Sequence, residues 1–313
     1  MPLARAALAV LLSSFLARSQ TLVAQACGPG VLSLEAGSVL SLPGTGGIEG
    51  LATTPEGRFA LWSHASEILE LDRVHGVTHH PFPDSLRPAG LGITAAGYRL
   101  LDGVTGTDEL LGAGDTIVTV GAISLREGET LDHAFWRGGG WLLLLRNTAT
   151  LEFQLRRADA ESLLYRSAPA ESIKVIPRYH LSEAGPLLLL TRYTAPFDLV
   201  RLDPATGRAD TLAPLLAALP PIPPESLSHW RALPAVVIDC GVLVTVTDLT
   251  SDRRLLVRYG AGGTIDKVTA LDAPLGLMVR LPGTTTVLAA RRTGDLELVW
   301  YDWQWARELT ASP

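Results

Sequence analysis

The chain predicts an all-β fold in which six repeated units close into a ring. Three observations carry that expectation. Glycines leading into apolar runs recur at Gly57, Gly97, Gly140, Gly185, Gly241 and Gly283, with gaps of 40, 43, 45, 56 and 42 residues. Each unit repeats one order of strand patterns. No stretch holds an apolar period of 3.6, which disfavours helix-layered α/β folds. Six units spaced at roughly 40–50 residues are the signature of blades, so the architecture expected is a six-bladed β-propeller.

The elements follow in the same order in each unit. A short inner strand precedes the glycine, as in residues 48–56, 88–96 and 275–282. A nearly continuous apolar run comes next, such as Trp141–Leu145, which suits a strand buried on both faces. An alternating strand follows. Leu151, Phe153 and Leu155 alternate with Glu152, Gln154 and Arg156, and Leu296, Leu298 and Trp300 alternate with Glu297, Val299 and Tyr301. That period of two marks a half-exposed sheet face. The unit ends in a turn and a short returning strand, as in 69–81, 200–212 and 256–268. Pro204 presets one such turn, and Gly76, Gly207 and Gly263 allow positive φ. Blades are expected to start near residues 48, 88, 131, 176, 232 and 274. The last unit lacks a fourth strand, and Ser38–Leu42 near the N-terminus can supply it, closing the ring and hiding its edges.

Composition bounds the rest. The chain has 313 residues, 47% hydrophobic and 19% charged, with a net charge of −6. It is too apolar for disorder and too acidic to favour phosphate backbones or anionic lipid surfaces. Residues 1–26 read as a secretory signal: Arg5, an apolar run Ala6–Leu16, and Ala24-Gln25-Ala26 as the cleavage site. Ser13, Ser14, Arg18, Ser19 and Gln20 keep that run short of the ~20 residues a membrane span needs. Residues 27–313 are then expected to form one secreted or periplasmic domain, a monomer. Cleavage would leave Cys27 first, with three alternatives: a Cys27–Cys240 disulfide, a lipid on Cys27, or two free thiols.

Three short segments carry a family resemblance: Glu49–Ala52, the Pro55-Glu56-Gly57 tripeptide and Leu202–Arg208 (LDPATGR). On these, residues 38–305 resemble six-bladed propellers of the NHL, gluconolactonase-like and YVTN kind. The gluconolactonase-like resemblance implies a hydrolase with calcium in the central channel, held by Glu, Asn and Asp at the inner-strand starts. Glu49 matches that Glu. The aligned positions in the other blades are Ala89, Asp132, Pro177, Leu233 and Leu275, and the single Asn, Asn147, falls in a turn. Two carboxylates fall well short of the six to eight oxygens calcium takes. No cofactor is therefore expected, with channel calcium as the alternative.

Motifs for nucleophilic, zinc-hydrolytic and phosphate-binding chemistry are missing from the sequence. His64, His75, His79 and His80 cluster in the first unit, but neighbours on a strand point to opposite faces, and zinc needs three or four converging donors. A surface or edge-strand location suits them better. The stronger candidate is the mouth of the channel. The longest connection, Pro214–Pro234, brings Glu225, His229, Trp230 and Arg231, with Trp230 as the expected aromatic anchor. The other inner-strand starts add Glu49, Asp132, His133, Arg178, Tyr179 and His180. Two functions fit: a secreted, non-catalytic propeller that binds a small molecule or protein on its loop face, or a degenerate metal-dependent hydrolase. The lack of recognised catalytic sets favours the first.

Overall fold

A computed structural model describes residues 30–42, 48–53, 59–63, 66–72, 76–159, 162–168, 179–184, 187–195, 197–219, 223–233, 235–238, 241–251, 253–260, 262–271, 278–280, 286–292 and 296–307. Among them, six antiparallel sheets follow one another along the chain. The first blade is Ile48–Thr53, Phe59–Ser63, Glu67–Asp72 and Gly76–Pro81. The second is Pro88–Thr94, Gly97–Asp102, Thr107–Leu111 and Ile117–Ala122. The third is Glu129–Arg137, Gly140–Asn147, Phe153–Arg157 and Leu163–Arg166. The fourth is Tyr179–Ala184, Leu187–Arg192, Leu199–Leu202 and Ala209–Thr211. In the fifth, the inner strand is split into Trp230–Ala232 and Val236–Ile238, followed by Gly241–Asp248, Arg254–Tyr259 and Ile265–Ala270. The sixth is Met278–Arg280, Thr286–Arg292 and Leu296–Arg307, with Gly30–Leu42 as its outer strand.

Closure is therefore made by the N-terminal strand, as the missing fourth strand predicted. The strand is longer than Ser38–Leu42: it runs over 13 residues from Gly30 opposite Arg307 to Leu42 opposite Leu296, with a break in register between Ala36 and Val39. The extra pairing comes from residues 30–36, which are matched by residues 301–307 of the long last strand.

The core lies between blades. The apolar second strands fill both seams they face, so Trp141–Leu145 is buried throughout. Alternation along these strands sends neighbours to opposite seams: Leu142 and Leu144 pack toward the fourth blade, Leu143 and Leu145 toward the second. Leu61, Leu69 and Leu71 of the first blade meet Leu288, Ala290 and Leu298 of the sixth, which completes the circle.

One local expectation is corrected. Leu151 is not in a strand. Its φ is +56° and its N–H donates to the Asn147 carbonyl at 2.9 Å, so the third strand starts at Phe153. The long connection before the fifth blade is folded into two 3₁₀ turns, Leu215–Ala218 and Pro224–His229, and its Leu215 and Leu219 enter the seam between the fourth and fifth blades. Among the described residues, no helix is long and apolar enough to cross a membrane.

Candidate functional site at the loop face

Antiparallel pairing collects the candidate residues at one end of the ring. In the first five blades the inner strand begins beside the end of the second strand: Ile48 opposite Ser63, Pro88 opposite Asp102, Glu129 opposite Asn147, Tyr179 opposite Arg192, Trp230 opposite Asp248. The connections between blades and the turns after the second strands therefore share this end. Three of those turns are built alike. The Asp102 carboxylate accepts from the N–H groups of Val104 and Thr105 (2.8 and 2.6 Å), Asn147 from Ala149 and Thr150 (both 2.9 Å), and Asp248 from Thr250 (2.9 Å). The side chain mimics a turn carbonyl, which fixes the loop rim. Burial pushes the Asp102 carboxyl up, but donors from Arg87, Thr105 and Val104 outweigh it and hold the pKa below the ordinary value.

In four of the blades the inner strand carries one residue too many. Glu49, Ala89 and Asp132 are each skipped in the pairing of the first three blades, and the fifth blade has one extra residue within 233–235. Such bulges re-aim side chains. Strict alternation would send Leu131 and Ala134 to opposite faces, yet both pack in the seam toward the second blade. The slipped phase releases two successive residues, Asp132 and His133, from that seam.

Asp132 pairs with Arg146 at 3.1 Å. His133 lies over Trp62 of the first blade, with ring centroids 6.1 Å apart and planes 18° apart. Burial lowers the His133 pKa to about 4, against a hydrogen bond to the Ala89 backbone that favours the charged form. The ring is thus neutral at pH 7. The buried Trp62 Nε1–H has no partner among the described residues. Around these two rings the close approach of neighbouring inner strands requires glycine, since a Cβ at Gly90 would stand 2.4 Å from the Ala134 carbonyl oxygen.

A second group sits where the fourth and fifth blades meet. His180 packs edge-on against Tyr193, with centroids 5.3 Å apart. The Arg231 guanidinium carbon lies 5.4 Å from the centre of the Tyr193 ring. Its Nη1 donates to the carbonyls of Ser228 (2.6 Å) and Trp230 (2.8 Å), and the Ala232 N–H donates to the Tyr193 carbonyl at 2.9 Å. His229 and Glu225 are exposed beside it, and the His229 carbonyl accepts from the Leu249 N–H at 3.0 Å.

Two expected contact residues belong to the core instead. Trp230 is 3% exposed and packs with Leu219, Ala232 and Val246, so its indole offers no face to a ligand; in the split inner strand its position points into the seam. Tyr179 is 7% exposed in the seam between the third and fourth blades, where burial pushes its hydroxyl pKa well up. Arg178, Cys27, Cys240, His64 and His75 lie outside the described residues, as does the Glu49 side chain. His79 is exposed on Glu67 at 2.9 Å, and His80 sits between Glu70 (3.5 Å) and Asp115 (3.3 Å) on the outer strands. Among the described residues, no three His, Cys, Asp or Glu side chains are placed to hold a metal ion. Trp62, Arg146 and Tyr193 were missed in the sequence. The available signal was topological: each ends or follows a second strand, and antiparallel pairing sets that end beside an inner-strand start.

The sequence matches no protein-family model and no curated protein. Among solved structures, the chain is similar to the β-propeller domain of Cps50 (Swd1) from Myceliophteria thermophila. The TM-score is 0.53 at 12% identity, over 86% of this chain and 99% of that one. The chain folds as a β-propeller. BamB from Moraxella catarrhalis is matched over the same shares at a TM-score of 0.38 and 9% identity. At these identities the likeness concerns fold alone.

Proposed function

We propose that this chain is an exported, non-catalytic binding module whose loop face takes a small molecule or a protein. The observation supporting this most is the fixing of polar side chains at one end of the ring. His133 is placed by a bulge and a stacked indole, and Arg231 by two carbonyls and a tyrosine ring. Preset groups lose little freedom on binding, which favours affinity. Catalysis would require an activated nucleophile or a metal-activated water, and the site offers His133 as a neutral acceptor rather than a paired base.

The test uses protein beginning at residue 27, screened by thermal shift against a metabolite collection and by metal analysis. Hits whose stabilisation disappears in His133→Ala or Arg231→Ala support the loop face. Hits insensitive to both variants overturn it. Divalent-cation-dependent turnover of a lactone or phosphoester, lost in Glu49→Gln, overturns the non-catalytic reading.

A further inference from the structure

The edge of Arg231 left over at the seam between the fourth and fifth blades has a definite chemistry. Both of its short hydrogen bonds use Nη1. No carboxylate among the described residues pairs with this half-buried guanidinium, whereas Arg146 pairs with Asp132, and the more deeply buried Arg156 and Arg258 pair with Glu129 and Asp266. With Nη1 occupied and the guanidinium carbon over the Tyr193 ring, the Nε–H and Nη2–H bonds remain, and they are parallel. That edge matches the two oxygens of a planar carboxylate.

The strand end and turn around Tyr193 supply further donors without partners. The hydroxyl oxygen of Thr194, next to Tyr193, is buried and has no partner among the described residues. So is that of Thr191, which is 1% exposed and stands opposite His180 in the strand pairing. Buried hydroxyls are ordinarily satisfied, so two orphans on the segment that carries Tyr193, the ring against which Arg231 lies, call for an acceptor-rich occupant. The charge balance limits what that occupant is. Asp198, in the same turn, is held by Arg192 at 3.6 Å, so among the described residues of this group Arg231 is the arginine without a carboxylate partner. A single cation beside a resident carboxylate suits a monoanion better than a dianion.

We infer that this seam binds a carboxylate group, held side-on by Nε and Nη2 of Arg231 with the Thr194 hydroxyl as a further donor. The inference rests on the loop-face reading and names the chemical class for one part of it.

The experiment follows the Arg231 Nε–H resonance by ¹⁵N NMR in the protein from residue 27 while acetate or inorganic phosphate is added against chloride at equal ionic strength. Acetate is expected to move the resonance to saturation, and chloride is not. Arg231→Lys keeps the charge but loses the fork, and its acetate affinity, read from thermal shift, should fall about tenfold or more. Thr194→Val should weaken it less. An acetate response no larger than that of chloride overturns the inference. So does phosphate binding in preference to acetate, or an Arg231→Lys variant equal to the wild type. Ligand capture that depends on His133 but not on Arg231 leaves the loop-face reading standing and removes this site. A saturable acetate response at Arg231, with screening hits indifferent to both residues, does the reverse.

Discussion

His133 of the third blade lies nearly parallel to Trp62 of the first, reaching across the start of the second blade's inner strand to do so. The Ala89 bulge and Gly90 make that crossing low enough for the two rings to meet.

This position makes His133 an acid-sensitive element. Its pKa is about 4 in the folded chain and 6.5 when unfolded, so the unfolded state binds the extra proton first as pH falls. Its part of the stability is whole above pH 6.5, declines as pH drops toward 4, and levels off below. A shift of that size corresponds to about 3 kcal/mol. Urea unfolding at pH 7 and pH 4.5 should show a difference that is markedly smaller in His133→Gln. Equal pH dependence in the two proteins would contradict this.

Ring closure by Gly30–Leu42 makes a second expectation. Removing these residues bares the long strand Leu296–Arg307 and strips Leu40 from the seam between the sixth and first blades. The melting temperature should fall by more than about 10 °C, since each kcal/mol is worth a few degrees at this size. A synthetic peptide of residues 30–42, added in excess, should restore most of the loss. Failure of the peptide to stabilise the truncated ring would mean that the strand is not a separable closing piece.

Asp108 is the polar keystone of the seam between the second and third blades. It accepts from Arg99 Nε and Trp141 Nε1, both at 2.8 Å, while the Arg99 guanidinium lies over Trp136 at 4.8 Å. Asp108→Asn leaves a largely enclosed guanidinium without its counter-charge and should cost about 3 kcal/mol in chemical unfolding. A cost under about 1 kcal/mol would show that solvent screens the pair.

The repeated glycines are not equivalent. Gly241 has φ +141°, and a Cβ there would stand 1.8 Å from the Tyr259 carbonyl oxygen; Gly97 is placed the same way against Leu111. At Gly140 the nearest atom to a Cβ is 3.8 Å away. Gly241→Ala should therefore cost more than about 2 kcal/mol, and Gly140→Ala within about 1 kcal/mol of zero. Similar costs at both sites would sink the distinction.

Much of the ring was legible because its strands are long-range copies of one pattern. Trp141–Leu145 announces a strand with a seam on either side, and the missing fourth strand of the last unit pointed to its donor at the N-terminus. Site residues were harder. Trp230 and Arg231 are adjacent in sequence, and only the direction of a three-residue strand sends one into the core and leaves the other at the rim. Leu151 looked like the start of an alternating strand, but the Asn147 turn claims it with a positive φ. Trp62 and Tyr193 read as ordinary strand and turn residues; their roles depend on contacts between blades, which no local pattern encodes.

The skipped residues of the inner strands have a consequence for how such a ring can change. A side chain outside the pairing ladder is excused from the alternation that the seams enforce. In this chain that place is filled by glutamate, alanine and aspartate in three successive blades, with no alteration of the sheets behind them. The rim of the channel thus carries interchangeable lettering on a fixed frame. A new specificity can be written there one blade at a time, while the leucines that hold the blades together stay as they are.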